Sequence, residues 1–448
     1  MVRLSKFFSL VHNEYIKIFK KKSMIIMLVL AVIACFGFSF IMKMSTSAIS
    51  FGEETENEIL NGYKSQIEYL KESKEDGWEE QVQAYQMLYD NKLTKLWQRE
   101  SVNFLVYLQD KTIYDKALEA IKSGDSIALC EVVKDVEGLP DGFAWEFSYR
   151  AENKIPLAEN VIQGTNKINT IIGKIKSNKN DLMLLDEKSA KAKEYEDSIK
   201  IGLYQLDKKI YTNLNPSSLA DDETEGFDSS EMDFWSVFTN TAGLVSLAGL
   251  FLIIIAGGTI ASEFSNGTIK FLLINPAKRW KILMSKYFAC MTTGLFFVLL
   301  FYVVSIPAVG IFNGFDLSAG SYIYVENGVV KEMSPFLYMA KKYLLSSADI
   351  IVYGTMAFAI SSLARNSALA IGTSVFAMFV GSTITNILSQ LKQDWGRYLI
   401  FCNVDLNGII QGDSLFAGQT ITFALCVIAV HMVVFILTAW DAFTKKSV

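Results

Sequence analysis

Residues 262–286 read SEFSNGTIKFLLINPAKRWKILMSK and lie between two long apolar runs, so both ends of the stretch are tied to segments of membrane-crossing length. Phe264, Ile269, Leu272 and Leu273 recur at roughly helical spacing, with Asn266 and Lys270 on other faces, which predicts a short amphipathic helix. Asn275 precedes a proline and is biased away from helical backbone, so that helix ends there. Pro276 suits the first position of a new helix with Asn275 as its cap. This second helix carries Lys278, Arg279, Lys281 and Lys286 into the next apolar run. Shape alone fits an ordinary connecting loop as well as a specialised one.

Working outward, the chain has 448 residues, of which 51% are apolar, and this composition belongs to a membrane protein. Its net charge of −5 hides an asymmetry. Residues 45–235 hold 37 acidic and 22 basic side chains, whereas the rest of the chain holds 10 and 20. An acidic soluble domain is thus grafted onto a membrane body with basic flanks. The five cysteines are scattered without CxxC spacing, and the two histidines, His12 and His431, are too few for a histidine-rich metal site.

The expected fold is an all-α polytopic membrane protein with six transmembrane helices. Residues 1–23 form an amphipathic helix with Leu4, Phe7, Phe8, Val11, Tyr15 and Ile18 on one side and lysines elsewhere, suited to an anionic leaflet. Residues 24–44 contain the first span, whose apolar run is long enough to cross about 30 Å of hydrocarbon. Residues 45–235 are charged and mainly helical by their three-and-four spacing, and large enough to fold as a domain. Residues 236–448 carry spans two to six. Within them, segment 390–418 includes an apolar piece, Tyr398 to Val404, too short to span and suited to re-entrant helices.

Orientation follows from Lys and Arg in the short connections. Placing both termini, residues 262–286 and the Arg365 turn in the cytoplasm puts 14 basic residues inside. Five, Lys331, Lys341, Lys342, Lys392 and Arg397, then fall outside. The expectation is a plasma-membrane protein with cytoplasmic termini and residues 45–235 extracellular.

Glu263, Gly267, Thr268, Leu272, Leu273, Pro276, Arg279 and Lys286, with Phe264 among them, resemble the signature of the ATP-binding-cassette (ABC) type-2 permeases, the type V exporter fold. The resemblance implies that 262–286 is a coupling loop docking on a separate ATPase subunit, and that the N-terminal helix is an interface helix touching the same subunit. It implies a homodimer or a pair with a related permease in membrane lipid. Its members move drugs, antimicrobial peptides, lipids, polysaccharides and, in some cases, sodium outward. The resemblance does not name the cargo.

The chain has no GxxxxGK[ST]; Gly173-Lys174 lacks both the upstream glycine and the following hydroxyl residue. The chain is therefore expected to have no cofactor and no ATPase activity of its own, with Mg-ATP held by the partner. No nucleophile–base–acid set stands out, and the basic residues flank spans, which does not suggest nucleic acid. Two ionisable residues, Asp349 and His431, fall within spans and are candidates for a pathway, because stranding them in lipid is costly. Each also has a bland reading, as a partner to a neighbouring helix or to the interface. A second functional class stays open, in which ATPase strokes move the outer domain against a cell-envelope partner.

Overall fold

The structure, a computed structural model, describes residues 2–48, 55–74, 77–105, 107–160, 166–186, 189–211, 234–268, 278–315, 317, 321–411, 414–416 and 418–445. It is mostly helical. Six helices are long and apolar enough to cross a membrane: Lys22–Ser45, Phe234–Ser265, Arg279–Asn313, Pro335–Ala364, Ser367–Gln390 and Ile421–Thr444. The chain is a polytopic membrane protein, and these helices are its six candidate spans.

The chain divides into two compact units. The first, the membrane body, comprises Met1–Ser45, Met232–Leu317 and Phe336–Val448. Apolar burial drives little association between helices in lipid, so close backbone approach matters. Leu252 of the second span is a knob between two glycines: a Cβ at Gly294 or at Gly354 would lie 2.7 or 2.4 Å from its Cδ2. Gly257 faces the fifth span in the same way, and a Cβ there would meet Ile371 Cγ1 at 2.8 Å. Ser361 of the fourth span donates to the Gly257 carbonyl at 2.7 Å, so the small residue and the hydroxyl join three spans at one level. A further buried chain runs from Thr241 to the Tyr343 hydroxyl (2.8 Å), on to Ser305 (3.4 Å) and to Cys35 (3.6 Å), tying in the first span.

Between the fifth and sixth spans the backbone forms two 3-10 turns, Asp394–Tyr398 and Ile400–Cys402, and a short helix, Leu406–Gln411. Three of its backbone carbonyls are met by side chains: Asn403 donates to the Arg397 and Leu399 carbonyls at 2.8 and 2.7 Å, and Gln419 donates to Cys402 O at 2.9 Å. Non-helical backbone is tolerable at a membrane when protein satisfies it in this way.

The second unit comprises Thr46–Glu231 and Ser318–Pro335. Helices Glu56–Ser73, Trp78–Asp90, Lys111–Ser123, Ser126–Val133 and Asp141–Asn153 surround a core of Leu88, Trp97, Ile121, Leu129 and Phe147. Helices Lys167–Leu182 and Ala190–Lys208 form an antiparallel pair on Ile172, Ile175 and Leu206. Glu146, almost fully buried, accepts from Arg150 at 2.8 Å and pairs with Lys176 at 3.2 Å. Burial alone would push its carboxyl up, but Lys176 and Arg150 outweigh that and hold it below its ordinary value.

One element corrects the all-α expectation. Strands β1 (Tyr322–Glu326) and β2 (Val329–Met333) form an antiparallel hairpin within this second unit. Asn327 and Gly328, at φ 54° and 78°, supply the two left-handed residues of a type I′ turn. The Tyr204 hydroxyl donates to Glu332 at 2.7 Å, fixing the hairpin to the helix at 190–208.

Two outcomes test this architecture. Gly257→Val should lower the melting midpoint of the purified protein, since overfilling a core costs about 1–3 kcal/mol. Gly258→Val, with nothing within 4 Å, should leave it nearly unchanged; equal effects would refute the close approach to Ile371. Glu146→Gln should destabilise the full chain at neutral pH by about 3–5 kcal/mol, the usual cost of breaking a buried pair. Because folding lowers the Glu146 pKa, its contribution is present above the ordinary glutamate range and lost as pH falls through the folded value. The gap between variant and wild-type midpoints should therefore narrow towards pH 3.

Candidate functional site

The second span ends where its helix meets the sequence Ser265-Asn266-Gly267. Asn266 N–H donates to Ser262 O at 2.9 Å, and Gly267, at φ 70°, turns the chain out in a backbone region that side chains with a Cβ disfavour. The amphipathic helix expected to run from Phe264 therefore breaks at Gly267. Residues 269–277, which include Leu272, Leu273, Asn275 and Pro276, lie outside the described residues. The following helix begins at Arg279, because Lys278 is extended at φ −62° and ψ 138°. That corrects the expectation that Pro276 opens the helix leading into the third span.

The two stems of this loop are clasped together by charge. Lys286, on the third span's first turns, is only 2% exposed at its side chain. Its ammonium lies 2.9 Å from Glu14 Oε2 and 3.2 Å from Glu263 Oε1. Lys17 closes the ring at 3.0 Å from Glu14 Oε1 and 3.5 Å from Glu263 Oε1. The Thr268 hydroxyl donates to the other Glu263 oxygen. Two lysines and two glutamates thus alternate in a closed, neutral cluster joining the N-terminal helix (Val2–Phe19), the second span and the third. For Lys17, burial lowers the pKa but the Glu14 and Glu263 carboxylates outweigh it, holding it above its ordinary value.

The N-terminal helix reaches the cluster because Val11, Glu14 and Ile18 form its buried stripe, while Phe8, expected on that side, is exposed. Tyr15 hydrogen-bonds Thr292, and the Phe19 ring packs on Phe296 at 5.7 Å between centroids. Glu14 is the residue that reading by composition missed. Its signal was present: it is the one acid among residues 2–22, set in the middle of the apolar stripe.

Other predicted residues gather nearby without joining the ring. The Arg365 guanidinium stands 4.6 Å over the Phe264 ring, bringing the tight turn between the fourth and fifth spans onto the loop stem. Arg279 does not reach Glu263; it donates to the Thr444 carbonyl at 3.2 Å near the chain's C-terminal end. The N-terminal helix, loop stems, Arg365 turn and C-terminal helix end are therefore collected at one end of the membrane body. Asp349 and His431 stand apart. The Asp349 carboxylate accepts from Ile350 N–H at 2.6 Å, and His431 Nδ1 donates to the Val427 carbonyl one turn back at 2.9 Å. Each is satisfied along its own helix. Among the described residues no group of three or more His, Cys, Asp and Glu is placed to hold a metal ion.

Removing the shared cation gives a direct test of the ring. Lys286→Met leaves two carboxylates facing each other in a largely buried site, a change expected to cost about 3–5 kcal/mol. Adding Glu14→Gln should recover a measurable part of that loss in melting midpoint, whereas Lys17→Met, at a half-exposed position, should cost little. Strict additivity of the Lys286 and Glu14 changes would show that the two groups do not interact.

Comparison with known proteins adds the following. The chain is 38% identical over 216 residues to Bacillus subtilis (strain 168) YhcI, described as an uncharacterized protein, covering 48% of this chain and 69% of that relative. It is 28% identical over 220 residues to YdbK of the same organism, described as an uncharacterized membrane protein, covering 49% of this chain and 85% of that relative. No solved structure matches the chain. A family model matches residues 217–448, a region that holds spans two to six, both loop stems and the hairpin, and the chain belongs to that family, described as "Protein of unknown function (DUF2705)".

Proposed function

We propose that the chain is the permease subunit of an ATP-driven exporter, energised by a separate ATPase that docks on residues 262–286. The observation that carries this reading is the ion ring. It fixes both stems of the loop to each other and to the N-terminal helix, so a force applied to the loop is delivered to three membrane-associated elements at once. The Arg365–Phe264 stack extends the same connection to the fourth and fifth spans. A loop built this way suits coupling by rigid-body tilting. The exposed Lys278, Arg279 and Trp280 beside it offer a surface for a soluble partner.

The finer parts of the reading follow. The ring end of the membrane body, with both termini, is cytoplasmic, and the acidic second unit lies outside. Two permease chains, alike or related, enclose the path in membrane lipid. Mg-ATP is bound and hydrolysed by the partner, so the permease is not itself an enzyme. Cargo of the peptide, drug or lipid class agrees with the large outer unit, with sodium an alternative. The mechanical-relay reading uses the same coupling device and differs only in what the outer unit does.

Reconstituted with its co-purifying ATPase, the wild type should show cargo-stimulated ATP turnover, and Glu263→Ala combined with Lys286→Ala should reduce that stimulation at least tenfold while the complex still assembles. Wild-type stimulation in the double variant would overturn the assignment of the loop. Nucleotide hydrolysis by the chain after the ATPase is removed would overturn the permease-subunit reading.

A further inference from the structure

Where the fifth span stops at Gln390, the chain turns sharply rather than leaving the membrane body. Lys392 takes a left-handed conformation at φ 54°, and the 3-10 turn Asp394–Tyr398 follows at once. This short run exposes Leu391, Trp395 and Tyr398 at 63%, 57% and 53% beside two cations, Lys392 and Arg397. The Arg397 guanidinium lies 5.0 Å from the Tyr398 ring and 5.7 Å from that of Phe423, and its Nη2 donates to the Tyr398 hydroxyl at 3.0 Å. Its Nε is buried with no acceptor among the described residues. Neither Lys392 nor Arg397 forms an ion pair with another described residue.

Phe423 sits in the first turn of the sixth span, and that helix exposes Leu425, Val430, Val433 and Leu437. The patch is therefore on the perimeter of the membrane body, at a depth set by the last residue of one span and the first turn of the next. Three features select its occupant. Exposed Trp and Tyr at such a depth suit the zone between hydrocarbon and water. A guanidinium steadied on aromatic rings retains donors for a phosphate, which it binds more specifically than an ammonium does. Asp394 in the same turn leaves a net charge of only about +1, so amphipathic character marks the patch more than bulk charge does.

We propose that Lys392, Trp395, Arg397 and Tyr398 form a docking surface for the phosphate headgroups of membrane phospholipid, anchoring the segment between the fifth and sixth spans at the bilayer boundary. This requires only that the helices cross the membrane, and is independent of the permease reading.

Two measurements on the full-length protein test it. In nanodiscs containing lipid brominated near the glycerol end of the acyl chains, Trp395→Phe should reduce the fractional quenching of tryptophan emission relative to wild type. With bromine at the chain ends, the variant should show no such reduction, since Trp395 then contributes only unquenched emission. Equal quenching at both depths would place Trp395 away from the headgroup zone and overturn the proposal. Separately, replacing half of the phosphatidylcholine by phosphatidylglycerol should raise the wild-type melting midpoint, and Lys392→Gln with Arg397→Gln should lose a measurable part of that rise, the remainder belonging to the basic N-terminal helix. A fully retained rise would overturn the proposal. So would an equal rise from millimolar inorganic phosphate in phosphatidylcholine discs, because the site would then take a free anion. The quenching measurement stands by itself if the double variant fails to fold, since Trp395 is largely exposed and its replacement by Phe is mild.

Discussion

A lysine ammonium stripped of water must find its countercharges within the protein, and Lys286 finds two. That requirement shapes the rest of the membrane body. It forces the N-terminal helix to present Glu14 inward, against its otherwise apolar stripe. It also holds the ends of the second and third spans side by side, so the segment between them is a closed excursion with a clamped base. The neutral two-by-two composition matters as much as the contacts. Either glutamate alone would leave the cluster with a net charge, and Lys17 balances the second carboxylate from a half-exposed position.

The same end of the body collects contacts of a weaker kind. Arg365 reaches Phe264 from a tight turn whose left-handed backbone is occupied by the arginine itself at φ 51°. Asn366 then caps the fifth span by accepting from Ala368 N–H at 2.9 Å and Leu369 N–H at 3.2 Å. The turn is thus short because both of its backbone demands are met locally, and being short it keeps the guanidinium over the loop stem. Farther along the spans, glycines and hydroxyls replace charge as the means of association. The body is therefore held by ions at one end and by close packing through its middle.

The spans were legible because a continuous apolar run has one physical reading at that length. Helical character of the acidic segment was legible from its spacing. What escaped was set by contacts across the chain. Glu14 and Lys286 are 272 residues apart, and no periodicity in either helix announces the other. Arg279 was grouped with Glu263 on a shared motif, yet its partner is the Thr444 carbonyl at the far end of the sequence. The hairpin had a readable signal in Glu326-Asn327-Gly328-Val329, since Asn-Gly between β-branched runs favours a two-residue turn. Read as a connecting loop, the segment lost that signal to the expectation of an all-helical fold. Asp349 and His431 show the opposite case, where intramembrane ionisable groups attract functional readings but find acceptors or donors within their own helices.

The hairpin also changes what the acidic unit is. Had it been built from residues 46–231 alone, it would hang from the chain at two points and be removable in principle. It instead takes residues 318–335 as well, so four chain connections join it to the membrane body, at the ends of the first, second, third and fourth spans. Excising the first segment would also strip β1 and β2 of the helix at 190–208, on which Tyr204 holds Glu332, and a two-stranded hairpin is marginal by itself.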